Sequence, residues 1–257
     1  MTARFRATEA GLLSRRRLVS WLFFGSLILL AVSWSNRDDF DPDMWIHPAV
    51  ADEPLQNPVD EPEFTTRANE VDYIVRPKYR YELTGLVVSF KRFSHDYGLH
   101  KRWNDFINVA DVCVVWGDNA TEVDLNAFDF WNGEFTCTFA TRDESAWRSF
   151  NKDKLSNNHL ITDDPRVREV VDELDVGDQI RVSGWLAEYG EPGGPFRKTS
   201  TTRTDTGDGA CETIYVADME ILGSMSTIWR KLFWLALAVL VVSIVLWFTT
   251  PHHKLRR

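Results

Sequence analysis

The sequence predicts a mainly β domain with short helices, a small β-barrel in the order strand, strand, strand, helix, strand, strand, flanked by two transmembrane helices. Three observations carry this. Apolar and polar residues alternate along VGDQIRVSGWLAEYG (176–190), a capped amphipathic helix precedes that stretch, and two long uncharged apolar runs lie near the ends of the 257-residue chain. With both ends taken up by apolar runs, about one ordinary domain of core remains between them.

The first run, LVSWLFFGSLILLAVSW at 18–34, has Trp21 and Trp34 toward its borders. Roughly 20 apolar residues cross a bilayer core, so it stands at the short end of a spanning helix. A cleaved signal peptide is the competing reading, because Arg15, Arg16 and Arg17 make a basic start and Ala31-Val32-Ser33 a small-residue site. The run exceeds the roughly 7–15 residues of a signal's apolar segment, which favours a retained anchor. The second span, 229–250, places Trp229, Trp234 and Trp247 as interfacial anchors.

Arg4, Arg6 and Arg15 to Arg17 in the tail 1–17, and Lys254, Arg256 and Arg257 in the tail 251–257, put both tails in the cytoplasm by the positive-inside rule. Asp38, Asp39, Asp41 and Asp43 open the opposite side, although Arg230 and Lys231 sit there too. The expected location is a bacterial inner membrane with the central domain periplasmic. Between residues 36 and 228 there are 19 Lys plus Arg against 37 Asp plus Glu, a net of -18, while the whole chain carries -9.

Residues 35–72 read as an acidic linker. Pro42, Pro48, Pro54, Pro58 and Pro62 each remove a backbone donor and bias the preceding residue away from helix, which predicts an extended spacer, with Trp45, Ile46 and Phe64 able to dock on the domain or on a partner.

The domain is expected over 73–224. YRYELTGLVVSF (79–90) alternates as a first strand with Gly85 marking a bend, VADVCVVWG (109–117) is a buried second, and GEFTCTFAT (133–141) a third. Thr141 and Glu144 fit a capping box for a short helix. Asp164 is the N-cap of a second, with Pro165 at its first position and Val167, Val170, Val171 and Leu174 at helical spacing. The 176–190 strand follows, then the EPGGP turn (191–195) and a last strand, CETIYVADMEIL (211–222).

That order is the order of an OB-fold barrel, and GDQIRVSGWL with the closing IYVADMEIL resembles the fourth and fifth strands of many OB modules. VADVCVVWG, LSNNHLITDDPR and STTRTDTGDGACETI together resemble a family of uncharacterised bacterial two-span membrane proteins with an exported OB-like domain, from which no activity carries over. In an OB barrel the third and fifth strands are neighbours, which makes Cys137 with Cys211 the favoured disulfide of the three cysteines. Three reduced, buried thiols are the alternative.

The richest loop is KRFSHDYGLHKRWNDFIN (91–108), with Lys91, Arg92, His95, His100, Lys101, Arg102 and Trp103. In OB modules it would flank the groove together with the loop that holds Arg197, Lys198 and Arg203. Two basic loops at one mouth of an acidic domain make a candidate anion site, unless those cations pair with neighbouring carboxylates. Nucleic acid is an unsuitable partner for a domain of this net charge.

Enzyme signals are few. Asp205-Thr206-Gly207 matches the triplet of aspartic proteases but lacks hydrophobic flanks and a second copy, and reads as a turn. His159, among Asn157, Asn158, Asp163 and Asp164, is the one acid–base candidate. There is no CxxC, phosphate loop or nucleophile elbow, and neither metal nor cofactor is implied. The expected function is therefore a membrane-anchored binding or assembly module for an anionic glycan, lipid headgroup or envelope protein complex. The alternatives are a cell-envelope hydrolase centred on His159 and a structural subunit recruited through its spans.

Overall fold

The computed structural model describes residues 2–205 and 211–249, which fall into two compact units: the chain up to Asp41 with the chain from Ser226, and Pro42–Met225.

The first unit holds α1 (Thr2–Ser35) and α6 (Ile228–Thr249), both long and apolar enough to cross a membrane. They run antiparallel, since Trp34 meets Phe233 at one end and Ser20 and Phe23 lie near Trp247 and Phe248 at the other. Among the buried side chains of the two helices are the small ones Ser26, Ser33, Ala236 and Ser243, beside Val19, as expected where apolar helices approach closely without water to drive them together. Arg230, on the disfavoured side by the charge rule, donates to the Arg37 carbonyl at 3.1 Å and pairs with Asp38 at 3.3 Å.

The second unit is mostly strand. Its elements are β1 (Leu55–Pro58), β2 (Phe64–Ala68), β3 (Val71–Arg92), α2 (Gly98–Arg102), β4 (Asn108–Val115), α3 (Asp118–Thr121), β5 (Phe128–Asn132), β6 (Cys137–Thr141), α4 (Glu144–Ser149), β7 (Leu155–Ile161), α5 (Pro165–Glu173), β8 (Gln179–Gly190) and β9 (Glu212–Gly223). Seven of the strands form one sheet and β5 with β6 a separate hairpin. Within the sheet β3 pairs with β4, β4 with β7, β7 with β9, β9 with β8, and β8 with β3 again; every ladder is antiparallel except β7 with β9. Leu83, Val112, Leu160, Ile180, Leu186 and Ile214 form one buried core cluster with Val167, Val171 and Leu174 of the α5 segment. At Gly85 a Cβ would stand 2.4 Å from Val114 Cγ1 and 2.8 Å from the Val115 carbonyl oxygen, so only glycine lets β4 approach there.

Four expectations need correction. The stretch 35–72 is not a free spacer: Val50 is fully buried, β1 and β2 both pair with β3, and Gln179 holds the strap through the Trp45 carbonyl at 2.7 Å and the His47 N–H at 2.5 Å. Pro42 falls in a turn, Pro48 at the first position of a short 3-10 helix (Pro48–Ala51) and Pro58 at the end of β1. The third strand of the sheet is LSNNHLI rather than 133–141, whose second half folds back on β5. The polar run concealed it, because the buried Asn158 Nδ2 donates inside the sheet to the Val112 carbonyl at 3.1 Å and to Ser156 Oγ at 2.8 Å. The cap of α4 is Asp143, whose carboxylate accepts from the Ser145 and Ala146 N–H groups, and not Thr141. Finally, the disulfide joins Cys137 to Cys113, with Cα atoms 5.6 Å apart, and Cys211 is free. The pair Cys137 with Cys211 fails because Cys137 belongs to the hairpin, not to the strand beside β9.

Candidate functional site

The turn after β8 closes at Gly194, whose N–H reaches the Glu191 carbonyl at 2.9 Å, and returns through a two-way backbone bridge between Tyr189 and Arg197. Across from it, α2 and the residues after it turn inward with Asn104 at φ 51°. Between the two lies a cleft of about 720 Å³ whose walls include Tyr73, Trp103, Asp105, Tyr189, Phe196 and Arg197.

Asp105 is the hub of this cleft. Its buried carboxylate accepts from the Tyr189 hydroxyl at 2.9 Å, lies 3.0 Å from His100 Nδ1, and pairs with Arg197 at 3.5 Å. The Arg197 guanidinium in turn lies 5.3 Å from the ring centre of Trp103 and 5.1 Å from that of Phe135, two rings that stack on each other. Tyr73 donates to the Asn104 carbonyl and accepts from the Phe106 N–H. Burial raises the Tyr73 hydroxyl to about 12 and Tyr189 well above its ordinary value, so both stay protonated donors at neutral pH.

Of the ten basic and aromatic residues expected at one mouth, His100, Trp103 and Arg197 are brought together here. Lys91 pairs with Glu134, and Arg92 donates to the Val171 and Leu174 carbonyls at the end of α5. His95 bonds the Asn108 carbonyl at 2.8 Å, and burial pulls its pKa down. Lys101 reaches the Asp96 carbonyl at 2.8 Å; Arg102 and Lys198 are exposed. Arg203 faces Glu53 and the Pro54 carbonyl, both at 2.6 Å, beside Trp116. Tyr73, Asp105, Phe135 and Tyr189 were missed as site residues. Tyr189 alone carried a signal, its place on the strand that leads into EPGGP. Trp185, on the same strand, lies instead against Arg80, Phe64 and Tyr215.

On the other side of Phe135 is a second cluster. Asp111 of β4 stands opposite His159 of β7, with Oδ1 2.5 Å from Nδ1; Asp111 is fully buried and its Oδ2 has no hydrogen-bond partner. Asn157 Nδ2 donates to the Cys211 sulfur at 3.4 Å, and the Cys211 thiol donates to the Phe135 carbonyl at 3.5 Å. Burial alone would lower the His159 pKa, but chiefly the bond to Asp111, with its charge, lifts it to about 10. Phe135 turns its edge to His159 at 5.8 Å and has φ 59°, a left-handed backbone held two residues before the disulfide at Cys137. Asp205 accepts from Ser200 Oγ at 2.7 Å, while Thr206 and Gly207 of the Asp-Thr-Gly reading lie outside the described residues. Among the described residues no group of three or more His, Cys, Asp or Glu is arranged to hold a metal ion.

Comparison with family models, with curated proteins and with solved structures returned no match for this chain.

Proposed function

We propose that this chain is a two-span protein of the bacterial inner membrane that holds an OB-type barrel in the periplasm, and that the barrel binds an anionic envelope ligand in the cleft of Trp103 and Arg197. The barrel reading is supported by the ladder sequence β3, β4, β7, β9, β8 returning to β3, with its single parallel pair and with α5 between β7 and β8. Two antiparallel apolar helices, basic residues in both tails and a disulfide in the central domain support the topology and the compartment.

The observation that carries the binding reading is the Arg197 guanidinium poised over Trp103 and Phe135 at the cleft. One edge of it meets Asp105, whose charge is shared with Tyr189 and His100, and a guanidinium has five N–H donors. The remaining donors suit a carboxylate or phosphate, while the exposed Trp103 face suits a sugar ring or another flat group beside it. The full chain in detergent, titrated with oligogalacturonate, is expected to show a saturable change in tryptophan fluorescence. Arg197→Ala should weaken it at least tenfold, and neutral cello-oligosaccharides should give none. Equal response from Arg197→Ala, or from the neutral sugar, would sink the reading.

Hydrolysis centred on His159 is a second reading, favoured by the fully buried Asp111 carboxylate 2.5 Å from His159 Nδ1.

A further inference from the structure

We propose that Cys113, Cys137 and Cys211 form an internal thiol–disulfide relay, in which the Cys211 sulfur attacks Cys137 and transfers the covalent tie of the β5–β6 hairpin from β4 to the segment that opens β9. In the resting chain the bond joins Cys137 to Cys113 and Cys211 is free. The three cysteines gather around one side chain, Asn157 of β7. Asn157 stands opposite Cys113 in the β4–β7 ladder, and its Nδ2 donates to Cys211 Sγ at 3.4 Å. Its Oδ1 accepts at 3.3 Å from Asn132 Nδ2, and Asn132 is the residue opposite Cys137 in the hairpin. By a separate route, the Cys211 thiol donates to the Phe135 carbonyl at 3.5 Å, two residues before Cys137. Both routes lead from the free thiol to the same half of the disulfide.

The sheet decides which sulfur is attacked. Cys113 lies on β4 and Cys211 at the start of β9, with β7 between them, so their Cα atoms stand two strand spacings apart, roughly 10 Å. Disulfides bridge Cα atoms up to about 7 Å apart, which excludes Cys113 with Cys211 while the sheet is intact. Cys113 is also fully buried, whereas Cys137 and Cys211 are half-buried. Cys137 belongs to a separate two-stranded sheet, so the hairpin that carries it shifts without breaking a ladder of the main sheet.

In the exchange, the thiolate of Cys211 attacks Cys137 Sγ. The Cys137–Cys211 bond forms as the Cys113–Cys137 bond breaks, and the electron pair leaves on Cys113, which takes up the proton that Cys211 gave up. One disulfide and one thiol are present before and after, so no oxidant or reductant is consumed. Asn157 Nδ2 is the donor beside the attacking sulfur, and the thiol left at Cys113 is a small apolar side chain suited to its buried place. The Cys211 carbonyl accepts from the Ser200 N–H at 2.9 Å, three residues after Arg197. The relay therefore replaces a hairpin tied to β4 by one tied beside the Arg197 loop, and Phe135 moves with it.

The test incubates the full chain in detergent without added thiol or oxidant, as a mixture of ordinary and isotope-labelled protein. It is quenched in urea with excess N-ethylmaleimide and digested unreduced. A Cys137–Cys211 linked peptide within single chains is expected, together with maleimide on Cys113. Absence of that peptide, or a link found only between ordinary and labelled chains, overturns the proposal. Two variants fix the direction of attack. With oxidised glutathione, Cys113→Ser should close Cys137 with Cys211 about tenfold or more faster folded than in urea, while Cys137→Ser should leave Cys113 and Cys211 unlinked. Equal rates in the first, or a Cys113–Cys211 bond in the folded second, overturns the proposal. Where Cys113→Ser does not melt cooperatively, the wild-type peptides decide alone.

Discussion

Asp111 and His159 meet across the β4–β7 ladder at 2.5 Å, with the carboxylate wholly out of solvent. The pair is therefore coupled to folding, because in the unfolded chain neither group has the other. His159 keeps its proton in the fold up to about 10, above the ordinary 6.5. The folded state therefore binds more protons than the unfolded state between those values, and stability falls as pH rises through that window. The full contribution is present below pH 6.5. Thermal melting of wild type against His159→Gln should show a difference that shrinks from pH 6 toward pH 10, on the order of a few kcal/mol in total. A difference independent of pH would show that His159 carries no extra proton in the fold.

Glu212 pulls in the same direction from a different cause. Burial raises its carboxyl to about 8, the Asp205 charge adds to this, and Oε2 has no hydrogen-bond partner. The folded chain holds this proton where the unfolded chain has lost it, so stability declines between pH 4.5 and pH 8 and the cost is complete above that. Glu212→Gln keeps the shape without the charge. It should melt higher than wild type at pH 8 and close to it at pH 5, by an amount on the order of a few kcal/mol. A Glu212→Gln protein less stable at pH 8 would mean that the ionised carboxylate is the stabilising form.

Arg92 separates stability from binding. Its guanidinium donates to the Leu174 carbonyl and to the Val171 carbonyl, which also accepts from the Leu174 N–H at 3.3 Å, and it lies over the Phe90 ring at 4.7 Å. Arg92→Ala should lower the urea midpoint by the equivalent of about 1–3 kcal/mol, since the partners are charge-assisted and partly buried. Binding of oligogalacturonate by the folded fraction should not change. A weakened ligand response at unchanged stability would return Arg92 to the binding surface.

The spans, α5 with its Asp164 cap, β3, β4, β8 and β9 were legible because each depends on local pattern: an apolar run, a cap three residues from a hydrophobic repeat, or alternation behind a glycine. β7 was not, because Asn157, Asn158 and His159 bond atoms of other segments, Cys211, Val112 and Asp111, that a single strand does not reveal. The same holds for the sites. Trp103 and Arg197 stood out by type, but the roles of Tyr73, Asp105 and Phe135 exist only once β3, the α2 segment and the β5–β6 turn come together. Composition marked 35–72 as a linker, and Pro48 opens only the short 3-10 helix Pro48–Ala51; the complementary edge of β3 that β1 and β2 cover has no signature in the strap itself.

The disulfide links these regions, and its removal is the last test. Cys113 and Cys137 are 24 residues apart in sequence, so the bond restricts the unfolded chain by about 3 kcal/mol on the loop-entropy scale. It also ties the β5–β6 hairpin to β4, and with it Phe135, which touches Trp103, Arg197, His100, His159 and Cys211. A protein with Cys113→Ser and Cys137→Ser should therefore lose melting temperature and, at temperatures where it remains folded, should show weaker cleft binding. Loss of stability alone, with cleft binding intact in the folded fraction, would show that Phe135 is held in place by its ring contacts without help from the bond.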